Sequence, residues 1–286
     1  EGGGTRRRPS PRRRMSSLSS CHGPPSMERT SSVKKILDAD SGAALTESIV
    51  ESLVKVYPEY LGRLDDASFA ASVRVVVRRD FEAAVKAAGK VAVISGGGSG
   101  HEPAHAGFVG KGLLTAAVCG DVFASPTAKA VACAVAAVSS KAAGCLLVVK
   151  NYTGDRLNFG IAARVVTGRY GIPVETVYVS DDAAIPDATR PRGVGGTVIV
   201  HKVAGALADQ GASLADVARA ARSAARRTAT MGAAYRECYL PGRPAPERSR
   251  LGPCQVELGL GIHNEPGVET LSEPPTAKDL AHRCVA

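Results

Sequence analysis

The sequence predicts an α/β protein built on a mostly parallel sheet with helices on both faces. Three observations carry that expectation. Short apolar runs alternate with stretches of helical periodicity from residue 91 to residue 179. The runs read as nearly continuous apolar segments rather than as apolar/polar alternation, as strands buried on both faces do. Glycines and polar residues gather where the runs stop, which is where open α/β sheets bind ligands.

The elements follow in order. Leu45, Ile49, Leu53 and Val54 recur at helical spacing, so 44–56 is a helix, and Tyr57-Pro58 ends it because a residue before proline disfavours the helical region. Residues 73–77 form a short strand or a helix end. The run 91–94 is a buried strand that stops at the loop Ser95-Gly-Gly-Gly-Ser-Gly-His-Glu-Pro103. Glycines there let backbone N–H groups approach a polar ligand, and Pro103 suits the first turn of a following helix. A second strand covers 113–118, ending at Cys119-Gly-Asp121. Ser125 and Pro126 offer an N-cap and a first-turn proline for a helix running to about residue 140. Strands at 145–149 and 174–179 flank a helix at 157–168. Helices follow at 196–209 and 213–229, the second capped by Ser213 with Asp216 in its first turn. Arg219, Arg222, Arg226 and Arg227 along it read as a solvated face.

Composition narrows the function. The net charge is +9, but six arginines and one acid in residues 1–27 account for +5 of it. The body is only mildly basic, aromatics make up 4% and tryptophan is absent. Neither a phosphate-tracking face nor base-stacking platforms are supported, so no nucleic-acid partner is expected. The seven cysteines (21, 119, 133, 145, 238, 254, 284) include no Cys-x-x-Cys pair. They read as reduced thiols in a cytoplasm-like compartment, not as zinc ligands or disulfides. The longest apolar run, 130–138, is too short to span a bilayer, and no membrane partner is expected. Residues 1–28 are a basic tail too poor in apolar content to order itself; its Arg/Ser bias also fits organellar targeting. The chain does not begin with methionine, and a fragment or a translated upstream region is expected.

Motif searches exclude more. His101-Glu-Pro-Ala-His105 matches the H-E-x-x-H pattern, but Pro103 in a first helical turn would leave His101 outside the helix, so no metal site is expected. No P-loop or dinucleotide fingerprint occurs, and Gly98-Ser99-Gly100 lacks the spacing of a nucleophile elbow. The loop with Lys150 to Asp155, and Asp181 with Asp182, lie at strand ends and are expected to line one crevice. His101 and His263 stand out among the histidines. Each follows an apolar run in a glycine-rich loop beside a carboxylate, and imidazole suits proton transfer or addition to a carbonyl. His105, His201 and His282 read as structural.

These residues resemble the substrate-binding (DhaK-type) domain of dihydroxyacetone (glycerone) kinases. The likeness rests on Ser95 to Pro103; His105-Ala-Gly-Phe-Val-Gly110; Gly120-Asp-Val-Phe-Ala-Ser-Pro126; Lys150-Asn-Tyr-Thr-Gly-Asp155; Arg192-Gly-Val-Gly-Gly-Thr197; and Glu257-Leu-Gly-Leu-Gly-Ile-His-Asn-Glu-Pro-Gly267. It implies a first lobe over 29–230 and, over 231–286, the start of a second α/β lobe that looks truncated. It implies that His263 holds dihydroxyacetone or glyceraldehyde covalently as a hemiaminal and that His101 is an acid/base. Gly98, Ser99, Gly100, Lys150 and Asp155 would contact substrate. It further implies a homodimer, no cofactor on this chain, and ATP with Mg2+ on an ATP-binding DhaL-type domain or subunit. Within the resemblance, a triokinase/FMN cyclase-type fragment and a non-catalytic regulatory relative remain alternatives. Asn264 departs from the family, which usually has glycine after the covalent histidine; a positive φ there is expected to be tolerated by Asn at some cost.

Overall fold

The computed structural model describes residues 41–64, 73–185, 191–240 and 249–285. They fall within one compact unit, Lys34–Ala286. The basic tail expected over 1–28 lies outside the described residues. Strands β1 (Leu61–Arg63), β2 (Val75–Arg78), β3 (Ala92–Ser99), β4 (Ala116–Val122), β5 (Cys145–Lys150) and β6 (Val174–Val179) form one sheet in the order β1-β2-β4-β3-β5-β6. β4, β3, β5 and β6 run parallel; β1 and β2 add an antiparallel edge.

Alternate residues of each central strand enter different cores, as strand geometry requires. Ile94, Val118, Leu147 and Val149 pack with α2 (Ala128–Val138) and α3 (Thr153–Tyr170), including fully buried Phe159. Val93, Ala117, Leu146 and Val148 pack with Val50 of α1 (Gly42–Val56), with Val200 and Ala204 of α4 (Thr197–Asp209), and with Val217 and Ala221 of α5 (Leu214–Arg227). Each such large side chain contributes about 1.5–3 kcal/mol by leaving water. Helices therefore cover both faces, as the parallel pattern predicts.

Local signals explain most boundaries. The Ser41 hydroxyl accepts from the Ala44 N–H at the start of α1, and the Ser213 hydroxyl accepts from Asp216 N–H at the start of α5. Each such cap is worth about 1 kcal/mol. α3 ends at Gly171, in the left-handed conformation common at helix C-termini.

Three expectations are corrected. The glycine run is not a loop: β3 continues through Gly98 to Ser99, paired with β4 from Ile94↔Ala116 to Ser99↔Val122, with a register shift between Gly98 and Ser99. Pairing to β4 overrides the weak strand propensity of these glycines. Pro103 does not open an α-helix; its peptide bond with Glu102 is cis, and only a 3₁₀ turn, Ala106–Phe108, follows. Thr127, not Ser125, caps α2, accepting from the Ala130 N–H. The Ser125 hydroxyl turns to Asp155.

A second, three-stranded antiparallel sheet joins β7 (Ala233–Ala234), β8 (Val256–Leu258) and β9 (Glu269–Leu271). α6 (Ala277–Val285) follows. The connection from β8 to β9 carries His263.

Candidate active site

The ends of β3, β4 and β5 bring three of the expected regions together, and the β8–β9 loop closes over them. His101 leaves β3 two residues beyond its end. Its Nε2 lies 3.3 Å from His263 Nε2, with ring centroids 5.0 Å apart. Glu265 holds His263 from the other side: its carboxylate accepts from His263 N–H at 2.9 Å and from Nδ1 at 3.1 Å. Burial works against that carboxylate, but hydrogen bonds from backbone N–H groups and the His263 ring hold its pKa below the usual value. A carboxylate can only accept, so the proton of neutral His263 sits on Nδ1 and the Nε2 lone pair is left bare.

Lys150 ends β5 and is buried, as is Asp155 in the first turn of α3. Burial lowers the Lys150 pKa, opposed by the negative charges of Asp155 and Asp181. Burial raises the Asp155 pKa, although the Ser125 hydroxyl and the Lys150 charge oppose the shift. A buried carboxylate with a raised pKa takes up a proton more readily than a solvated one does. His101 is pushed the other way, to about 4, by burial and then by the positive charges of Lys150 and His263. It is therefore neutral at pH 7.

Of the glycine-strand residues, Ser99 turns its hydroxyl to Gly120 O at 2.8 Å, and Gly100 N–H is held by the Glu102 carboxylate at 3.0 and 3.1 Å. His105 does not share a face with His101. It is buried against His201, Nδ1 to Nε2 at 3.1 Å. The H-E-x-x-H reading thus places its two histidines on different partners. Among the described residues no group of three or more His, Cys, Asp or Glu is placed to hold a metal, and no helix is long and apolar enough to cross a membrane.

Asp181 and Asp182 are engaged by backbone N–H groups and by Arg192. Asp181 accepts from Val194 and Gly196 N–H and so fixes the entry to α4. Asp182 pairs with Arg192, whose guanidinium also donates to Gly259 O at 2.8 Å and so ties the β8–β9 loop to the first sheet. Asn264 has φ 65, the left-handed region expected of it. Its side chain accepts from Cys238 N–H and donates to Cys238 O, at 2.9 and 2.8 Å.

Two site residues escaped the sequence reading. The Phe123 ring stacks on His101, centroids 5.1 Å apart at 29°, and meets His263 edge-on at 6.1 Å. Tyr152 meets His263 edge-on at 5.0 Å, and its buried hydroxyl has no hydrogen-bond partner among the described residues. Burial raises the Tyr152 pKa, so the phenol keeps its proton. The available signal was scarcity: in a chain with 4% aromatics, two rings fall in strand-end segments.

Residues 53–286 match the Dak1 domain family. The chain is 53% identical over 207 residues to a dihydroxyacetone kinase of Citrobacter freundii, covering 72% of this chain and 36% of that protein. It is 43% identical to the dihydroxyacetone-binding subunit DhaK of a PTS-dependent dihydroxyacetone kinase of Listeria innocua, covering 86% of this chain and 71% of that one. The crystal structure of the C. freundii dihydroxyacetone kinase superposes with a TM-score of 0.78 at 46% identity, over 87% of this chain and 44% of that one. The chain thus spans less than half the length of the C. freundii kinase and most of the length of the Listeria subunit.

Proposed function

This chain belongs to the DhaK-type Dak1 domain family, and from that membership we propose that it captures dihydroxyacetone, or glyceraldehyde, on His263 for phosphorylation by ATP. The carrying observation is the pair of contacts on His263. Glu265 holds the Nδ1 proton, and the bare Nε2 faces His101.

The lone pair of His263 Nε2 adds to the carbonyl carbon. The N–C bond forms and the carbonyl π bond opens onto oxygen. Net, that oxygen gains one proton and Nδ1 gives one up; Glu265 stands beside the second site and the His101 N–H beside the first. A donor aimed at a developing oxyanion in a half-buried site lowers the barrier more than it would in water. Glycerol has no carbonyl to trap, so capture selects ketone or aldehyde over alcohol. Once pinned, a terminal hydroxyl of the substrate lies within the reach of Asp155, which takes or orients its proton, while Lys150 balances the charge. Fixing the acceptor in this way removes much of the entropic cost of transfer. ATP and Mg2+ enter on an ATP-binding DhaL-type domain or subunit, and this chain acts as a homodimer.

The test is ¹³C NMR with dihydroxyacetone labelled at the carbonyl carbon. Mixing with the protein is expected to move part of the signal from the ketone region to a tetrahedral carbon. His263→Ala removes that signal. A protein-bound tetrahedral signal, distinct from that of the free hydrate, that survives in the variant, or none in the parent protein, overturns the assignment.

A further inference from the structure

Phe123 sits at φ 56, in the left-handed region that a bulky side chain adopts only at a cost. The hydrophobic cores do not explain it, because Phe123 belongs to neither cluster. Its aromatic contacts are instead with His101 and His263. Its N–H donates to Ser99 O at 2.8 Å, which fixes its backbone to the end of β3.

The glycines of that strand are shaped around it. A Cβ on Gly98 would stand 2.6 Å from Ala124 N and 2.9 Å from Phe123 C. A Cβ on Gly100 would stand 2.6 Å from the Phe123 ring. Two of the glycines that read as ligand-cradling therefore have their side-chain space filled from within, by Phe123 and the residue after it.

We propose that Phe123 is a positioning residue, held in a strained backbone so that its ring fixes the His101 imidazole opposite His263 and shields it from water. This deepens the proposed function and rests on the acid/base role given there to His101. The charged and titratable groups facing His101 are Lys150 from the end of β5, and His263 and Glu265 from the β8–β9 loop; Glu102 follows it in its own loop. Lys150 and His263 disfavour the imidazolium and Glu265 favours it, with burial the largest influence. A ring that removes water from His101 adds to that burial.

Phe123→Asn separates positioning from packing. Asparagine tolerates the left-handed region better than phenylalanine does, so the melting temperature should hold or rise. The His101 midpoint in an NMR pH titration should rise by about one unit or more, and capture of labelled dihydroxyacetone should weaken about tenfold. Phe123→Tyr, which keeps the ring, should leave the midpoint and the capture as in the parent. Phe123→Leu serves as a second ring-free variant should Phe123→Asn fail to fold. A folded ring-free variant with an unmoved His101 midpoint overturns the positioning role. If the parent protein captures no ketone while the ring-free variant still shifts His101, the substrate reading fails and the positioning role stands.

Discussion

The Nε2 atoms of His101 and His263 face each other at 3.3 Å, although 162 residues separate them in the chain. Only one proton fits between two such nitrogens, and Glu265 decides which side carries it. By accepting from His263 Nδ1, it fixes the tautomer in which His101 donates and His263 accepts. Glu265→Gln keeps the shape but loses the charge that would stabilise positive character on His263 during the proposed addition. Hydrogen bonds to charged groups are worth about 1.5–3 kcal/mol, so affinity for dihydroxyacetone should fall about 10- to 100-fold. Calorimetric titration of the parent and the variant reads this directly; equal affinities would remove Glu265 from the mechanism.

Gly98→Ala is expected to damage the site through the backbone. Its Cβ would meet Ala124 N and the Phe123 carbonyl carbon, which cannot rotate away as a side chain could. A forced shift of this kind costs about 1–3 kcal/mol and carries Phe123 off His101. Gly110→Ala is the control, because no atom of the described residues lies within 4 Å of its Cβ position. Loss of ketone capture in the first and retention in the second, with both melting curves recorded, is the expected pattern.

The sequence showed the parallel sheet and missed what distant pairing decides. β6 spans the predicted 174–179, and Ser213 caps α5 as expected, because periodicity and capping are local signals. The glycine stretch misled because its strand character comes from β4 on one side, and from β5 on the other up to Ser95. The helix expected after Pro103 is replaced by a single 3₁₀ turn, Ala106–Phe108, a local backbone choice that composition does not reveal. The strand-end rule located His101, Lys150 and Asp155. Phe123 and Tyr152 were illegible because an aromatic ring becomes a site residue only through what the β8–β9 loop brings to it.

Asn264 tests how the His263 loop is held. Its φ of 65 favours glycine or asparagine, while its amide bridges both backbone groups of Cys238. Asn264→Ala loses the bridge and keeps the strained φ. Asn264→Gly loses the bridge alone. The alanine variant should therefore be the less stable, by about 1–2 kcal/mol, the cost of the left-handed conformation for a residue with a Cβ. Urea denaturation of the three proteins measures the difference. Equal stabilities would mean that the backbone relaxes there and that asparagine is not required for conformation.

The buried pair of His105 and His201 makes stability depend on pH, and the sign follows from their environment. Burial, and then the nearby positive charges, hold His105 well below its ordinary pKa; burial and the Lys150 charge hold His201 at about 3. Both are neutral in the fold, whereas an unfolded histidine takes a proton near pH 6.5. A depressed pKa in the folded state gives stability that is complete above 6.5 and is lost as pH falls from there towards about 3 for His201. Each such group contributes a slope of up to about 1.4 kcal/mol per pH unit in that window. His201→Gln removes one of the two slopes. At pH 7.5 the variant should be less stable than the parent, having altered the contact with His105 Nδ1. Between pH 6.5 and 5 the gap should close, because only the parent must still keep a proton off residue 201. Urea melts at pH 7.5, 6 and 5 give the three differences. A gap that stays constant across them would show that His201 does not resist protonation in the folded protein.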